Sequence, residues 1–385
     1  MNNWYGPYHT LMQAALPTPP WGLGRLDAVA MIFNRVTGLD IGAAPDFLIA
    51  ANIRPAAAPV RYPFLWNAYR QDQTQWPGFA DNGNDILGLS RNLGEVYGVC
   101  AVFHPQKDGP LINFIKTNSA HFEGLAALEG LIKKIGPPKW PWAVNPVLAA
   151  QGKLVFERGE DQGGCVGCHG IAPGKIRFPA LLTWKTPIQD VGTDGREDDL
   201  LHSTVQTGAL EGEEIPAVTK KLLPVDTAFN VLATSVIGSI LQSPFKIVAD
   251  AARPVRPTMA LTPRTQELTA AFQARSTTAV APSFPYESRV LAGIWAAAPY
   301  LHNGSVPTLA ELLKPAADRV ASFQVGPAYD IVNVGLAAQQ TRFNTTMDTT
   351  DWAARNSGNS RCGHEFGAQL SPSDKQALLE YLKTL

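Results

Sequence analysis

The sequence predicts a mainly α fold, with short helices strung on long ordered loops. Three observations lead there. Apolar residues recur at helical spacing in several separate segments, each with its own capping signals. Glycine and proline are plentiful, with 33 and 31 copies in 385 residues, which favours short helices over a bundle of long ones. A rigid segment, Pro137 to Pro146, divides the chain.

Taken in order, residues 1–118 are mostly loop-like, rich in Pro, Asn, Gly and Trp. One helix is predicted across Asp85 to Phe103, where Leu89, Leu93, Val96 and Cys100 recur at helical spacing. A second carries Phe122, Leu125, Leu128, Ile132 and Ile135 on one face, and Gly136 with Pro137-Pro138 ends it. The segment PPKWPWAVNP reads as a stiff strap packed on a domain, because its prolines exclude helix and its tryptophans want cover. A new helix starts at Asn145 (cap) and Pro146 (first turn) and runs to about Arg158. Thr308-x-x-Glu311 is a capping box opening a short helix over Leu309, Leu312 and Leu313. Ser371, Pro372 and Asp374 open the last helix, with Leu378, Tyr381, Leu382 and Leu385 as its apolar face.

Formal net charge is -1, and no broad basic field exists, so neither nucleic acid nor an anionic membrane is an expected partner. The apolar stretch from Val231 to Leu241 is interrupted by Thr, Ser and Gly and is too short to span a bilayer. The first residues show neither a basic start nor an apolar run, so they do not read as a secretory signal.

The strongest chemistry lies in Cys165-Val166-Gly167-Cys168-His169. Two thiols three positions apart sit on one side of a turn and can reach one porphyrin edge. The following His169 is then carried under the iron as proximal ligand. A zinc site would need two more ligands at short spacing, and neither Cys100 nor Cys362 has a partner cysteine nearby. A thioredoxin-like dithiol expects an apolar strand entering the motif, whereas Gly163-Gly164 precede it here. Gly152 and Phe156 on the preceding helix suit a helix crossing and an aromatic beside the ring. One covalent haem c is therefore expected, in a cytochrome c-type helical domain. Such attachment normally happens outside the cytoplasm, so the expected location is periplasmic. For the opposite axial position His302 and His364 stand in chemically dense segments, and Met259 and Met347 are the thioether candidates. His9, His104, His121 and His202 read as structural. Cys100 and Cys362 could pair or be two separate core residues.

Several segments together resemble the bacterial di-haem cytochrome c peroxidase superfamily, nearest its rubber-oxygenase and di-haem fatty-acid dioxygenase branch. They are Arg91-Asn-Leu-Gly-Glu95, Gly192-Thr-Asp194, the run Tyr286 to Leu309 and Gly363-His-Glu-Phe-Gly367. The resemblance implies that Cys165, Cys168 and His169 hold the second haem of a two-haem design. It points to His364 over His302 as the other iron ligand and leaves His302 at the haem edge or between domains. It implies that Arg289 pairs with a propionate, and that Trp76, in Gln75-Trp76-Pro77-Gly78, bridges two haems. A calcium ion between domains is a further implication, without assignable ligands.

Only one Cys-x-x-Cys-His occurs, and the motif for the first haem would lie before Met1. The expected organisation is thus 1–136 as the loop-rich remainder of an N-terminal cytochrome c-like domain, 137–146 as strap, and 147–385 as the haem domain. The expected function is electron transfer within a peroxidase- or oxygenase-like protein, partnered by a redox protein or second haem domain. The competing reading is a mono-haem carrier, or a truncated relative without turnover.

Overall fold

A computed structural model describes residues 2–82, 85–109, 111–177, 181–215, 219–243, 283–343 and 345–385. The expectation of a mainly α fold is overturned: helix accounts for 36% and strand for 16%. The described strands form eight two-stranded antiparallel pairs rather than one large sheet. Many of the connections expected as loops are small ribbons. One is the hairpin Ala172–Arg177 with Leu181–Lys185, and another pairs Ser322–Val325 with Thr345–Asp348. Runs of two to six residues carry too few alternations to announce themselves, and each gains its ladder only by meeting its partner.

The start of the chain is also more helical than its composition suggested. Helix α1 (Asn2–Ala15) precedes α2 (Ala28–Phe33), which runs into a π-helical stretch over Asn34–Asp40. Asp27 caps α2 through Ala30, and its other oxygen accepts from the amides of Ala57 and Ala58. Because Val29, Ala30, Ile32, Phe33 and Val36 are all buried, the segment shows no apolar stripe at a 3.6 period. Helices α3 (Asp85–Val99) and α4 (Phe122–Ile132) form where their spacing predicted. Together with α2 and later elements they close the larger core, around Leu93, Tyr97, Phe103 and Val231.

The second core is built on a crossing. Helix α5 (Pro146–Phe156) is capped by Asn145, whose side chain accepts from Val147 and Leu148. It is followed by the short α6 (Val166–His169), α7 (Arg196–Leu201), α8 (Ala228–Gln242) of the larger core, α9 (Leu309–Leu312) and α10 (Pro372–Leu382). Helices α5 and α10 meet at Gly152, where a Cβ would lie 1.9 Å from the Ala377 carbonyl oxygen. Only glycine allows that approach. Phe156 packs on Tyr381 beside it, and Val155, Leu378 and Leu382 are buried around the contact. Each such aliphatic side chain contributes about 1.5–3 kcal/mol. Among the described residues no helix is long and apolar enough to cross a membrane. Cys100 is exposed, Cys362 is buried, and both are free thiols.

Candidate haem site

The Cys165–His169 turn hangs from the end of α5. Gly163 takes a left-handed conformation (φ +77°), and Gly164 presses so closely on Arg158 that a Cβ would sit 1.8 Å from its carbonyl oxygen. The Cys165 amide then donates to the Phe156 carbonyl at 2.9 Å, and the His169 amide to that of Cys165 at 2.9 Å. One tight turn thereby brings both thiols and His169 to the wall of a single cavity. His169 Nδ1 lies 2.7 Å from the Arg289 carbonyl oxygen, which fixes the tautomer with Nδ1 protonated and leaves Nε2 a lone pair. Burial pushes its pKa down, keeping the ring neutral. Burial also pushes the Cys165 thiol up to about 11.

His364 faces His169, with ring centroids 6.0 Å apart and planes at 45°. It comes from a loop with two successive left-handed residues, Gly363 (φ +70°) and His364 (φ +52°). Its amide donates to the Val191 carbonyl at 2.9 Å, and Gly363 lies against Gly192 and Thr193 so tightly that a Cβ would be 2.3 Å from the Gly192 carbonyl carbon. Buried Arg319 fastens the loop by donating to the carbonyls of Arg361 at 2.7 Å and His364 at 3.0 Å. Asp194 fixes the facing strand of chain, since its carboxylate accepts from the amides of Arg196, Gly358 and Ser360 and from Ser357 Oγ. That accounts for the motif Gly192-Thr193-Asp194. Desolvation, with His169 and Arg319 nearby, lowers the His364 pKa to about 3.

The cavity, about 180 Å³ and partly open to solvent, is walled by Leu291, Ile294, Leu309, Leu313, Leu378 and Leu382. Its lining also carries polar and aromatic groups. Trp76 is buried between two guanidiniums, Arg61 at 4.7 Å and Arg289 at 4.8 Å from its ring centroid, and its N–H donates to the Arg61 carbonyl. His302 stacks on Tyr286 at 4.0 Å, and burial beside Arg61 lowers its pKa to about 3. Seven of the residues singled out from sequence line this cavity: Cys165, Cys168, His169, Arg289, Trp76, His364 and His302. The methionine candidates do not join them. Met347 is buried in the pairing opposite Phe323, and Met259 lies outside the described residues. Arg61 and Arg319 escaped the sequence reading, and no local pattern marks either. Among the described residues no group of three or more His, Cys, Asp or Glu is arranged to hold a metal ion, so the implied calcium gains no ligand set.

The donor set suits a haem. Two thiols and two imidazoles line one cavity, and the imidazole ring centroids lie 6.0 Å apart, a set that could hold one haem through both thiols and both rings. Two orphaned buried groups, His364 Nδ1 and Arg289 Nε, also suit a polar occupant.

Comparison with known proteins agrees on the class. Residues 285–324, which contain Arg289 and His302 and end just beyond α9, match the RoxA-like, cytochrome c-like family. The chain is thus related to RoxA-like haem proteins over that region. It is 29% identical to the uncharacterized protein y4iJ of Sinorhizobium fredii (strain NBRC 101917 / NGR234), over 94% of this chain and 60% of that protein. It is 26% identical to y4iM of the same strain, over 86% of this chain and 66% of that protein. The chain thus spans three-fifths to two-thirds of the length of these relatives.

Proposed function

We propose that this chain is a c-type cytochrome that holds one covalent haem and transfers electrons within a di-haem peroxidase- or oxygenase-like protein. One observation carries the reading: two neutral imidazoles face each other 6.0 Å apart across a cavity whose wall also bears both thiols. Cys165 and Cys168 would anchor the haem, His169 and His364 would take its two axial positions, and Arg61 and Arg289 would meet its carboxylates. Held there, the haem supplies one-electron exchange at its iron. The leucine wall gives the cavity an apolar side for the ring, and Arg319 and Asp194 would keep His364 from swinging aside. Were His169 and His364 both to ligate the iron, peroxide would find no free site there, which favours electron handling over turnover. The chemistry itself would then belong to a second haem domain or a redox partner, and covalent attachment would place the protein in the periplasm.

The test is expression with the c-type maturation machinery, followed by haem staining on a denaturing gel and optical spectroscopy. The expected result is a haem that survives denaturation and a low-spin spectrum. Replacing His364 with Ala should convert it to high spin, while His302→Ala should leave it low-spin. A haem lost on denaturation, or the reverse response of the two variants, would overturn the assignment.

A further inference from the structure

The strap residues Trp140 and Trp142 pack with Trp295 and Tyr329 in one aromatic cluster beside the haem cavity. Trp142 stacks on Tyr329 at 5.4 Å and 14°, and its ring centroid is 6.3 Å from that of Trp295. Trp295 lies 6.3 Å from Tyr329 and donates its N–H to the Pro138 carbonyl at 3.2 Å. The inner end touches the cavity. Ile294, next to Trp295, lines it, and so does Tyr300, whose hydroxyl donates to the Trp295 carbonyl at 3.3 Å. The outer end reaches water, since Trp142 is 43% exposed although its neighbours Trp140, Trp295 and Tyr329 are partly covered. Ordinary packing would bury the largest ring and expose a polar edge. Here three indoles and a phenol pack ring on ring from the surface to Trp295, one residue from the cavity-lining Ile294.

We propose that Trp142, Trp295 and Tyr329 form a one-electron relay joining the haem cavity to the surface at Trp142, where a high-potential redox centre would meet the chain. The proposal rests on the haem reading given above. An oxidant at the surface gains one electron from Trp142, Trp295 refills Trp142, and one electron from the reduced haem refills Trp295. No bond forms or breaks, and the indole N–H protons stay in place. Tyr329 serves as medium between the indoles, because its hydroxyl donates to the Trp295 carbonyl at 2.7 Å, and a backbone carbonyl cannot take up a proton. Trp140 is the poorer station, with the Lys383 ammonium 5.3 Å over its ring opposing a positive charge there.

The full haem-loaded chain tests this. On a Cys100→Ser background, Lys139→Cys carries a ruthenium tris-bipyridine label beside Trp142, and a flash with a quencher generates ruthenium(III), an oxidant stronger than indole. Loss of the reduced-haem band is followed together with the transient absorbance of an indole radical. Trp142→Phe and Trp295→Phe, which keep the ring packing, should each slow haem oxidation by roughly tenfold or more and remove the indole signal. Unchanged rates with a normal low-spin band would overturn the relay and leave the haem reading standing. If the parent chain shows no haem band at all, both fall.

Discussion

The two faces of the cavity present their histidines by opposite means. His169 belongs to a turn whose backbone hydrogen bonds run between residues of its own segment, and its distant partners, the Arg289 carbonyl on His169 and Gln189 on Cys168, reach it only through side chains of the turn. His364 is held by contacts that span the chain: Val191 at its amide, Gly192 against Gly363, and Arg319 across its carbonyl. The first side is preformed by local geometry. The second exists only once three separate loops have come together, so it should be the side that fails first.

Adding a methyl group to one glycine on each face gives the largest contrast. At Gly363 the new Cβ would meet backbone at 2.3–2.4 Å, and that backbone has nowhere to move. The left-handed φ alone costs a non-glycine residue about 1–2 kcal/mol. Gly363→Ala should therefore destabilise by about 3 kcal/mol or more and convert a low-spin spectrum to high spin, the outcome also expected of His364→Ala. At Gly167 the corresponding Cβ meets only the flexible Glu160 side chain, at 2.7 Å. Gly167→Ala should change stability by less than about 1 kcal/mol and leave the spectrum alone. Denaturant unfolding and absorption spectra check both, and equal effects at the two sites would remove the asymmetry.

A somewhat smaller effect is expected from Arg319→Met, which keeps the volume but strips three carbonyls of their donor, the buried one of Arg361 and the part-buried ones of Leu312 and His364. Each unsatisfied buried acceptor costs about 1–3 kcal/mol, partly recovered if water enters, so a net loss near 2 kcal/mol is expected. A mixture of low- and high-spin haem should accompany it. If stability falls while the spectrum stays wholly low-spin, Arg319 supports the fold without placing His364.

The same asymmetry explains what could be read in advance. The Cys165–His169 motif, the caps at Asn145, Thr308 and Ser371, and the Gly152 crossing are local signals, and the residues sit where those signals put them. Arg61 and Arg319 carry no such mark, because a buried arginine is recognised only by the carbonyls and rings that surround it. His364 was reached through resemblance, since nothing in Cys362-Gly-His-Glu-Phe announces two left-handed residues in a row. The mainly α expectation failed for a related reason. Paired ribbons two to six residues long are stabilised across the pair, and each strand alone reads as loop.

The smallest effect, and the sharpest in sign, separates His302 from the iron-facing pair. His302 is buried on Tyr286 with Arg61 close by, and its pKa falls to about 3 from an unfolded value near 6.5. Between those values the unfolded chain binds a proton that the folded one refuses, so its contribution is complete above pH 6.5 and is lost as pH falls toward 3. The parent should therefore lose stability relative to His302→Phe by up to about 1.4 kcal/mol per pH unit below 6.5. Glu287, pushed up to about 7 by burial, has the opposite sign, favouring the fold below its unfolded value and withdrawing that support as pH rises. It is present in both proteins and cancels in the difference. Denaturant midpoints of the two proteins from pH 7 to pH 4 measure the gap. A gap that stays flat would mean that His302 takes up a proton as readily in the folded protein as in the unfolded chain, and that its burial on Tyr286 beside Arg61 does not exclude the charge.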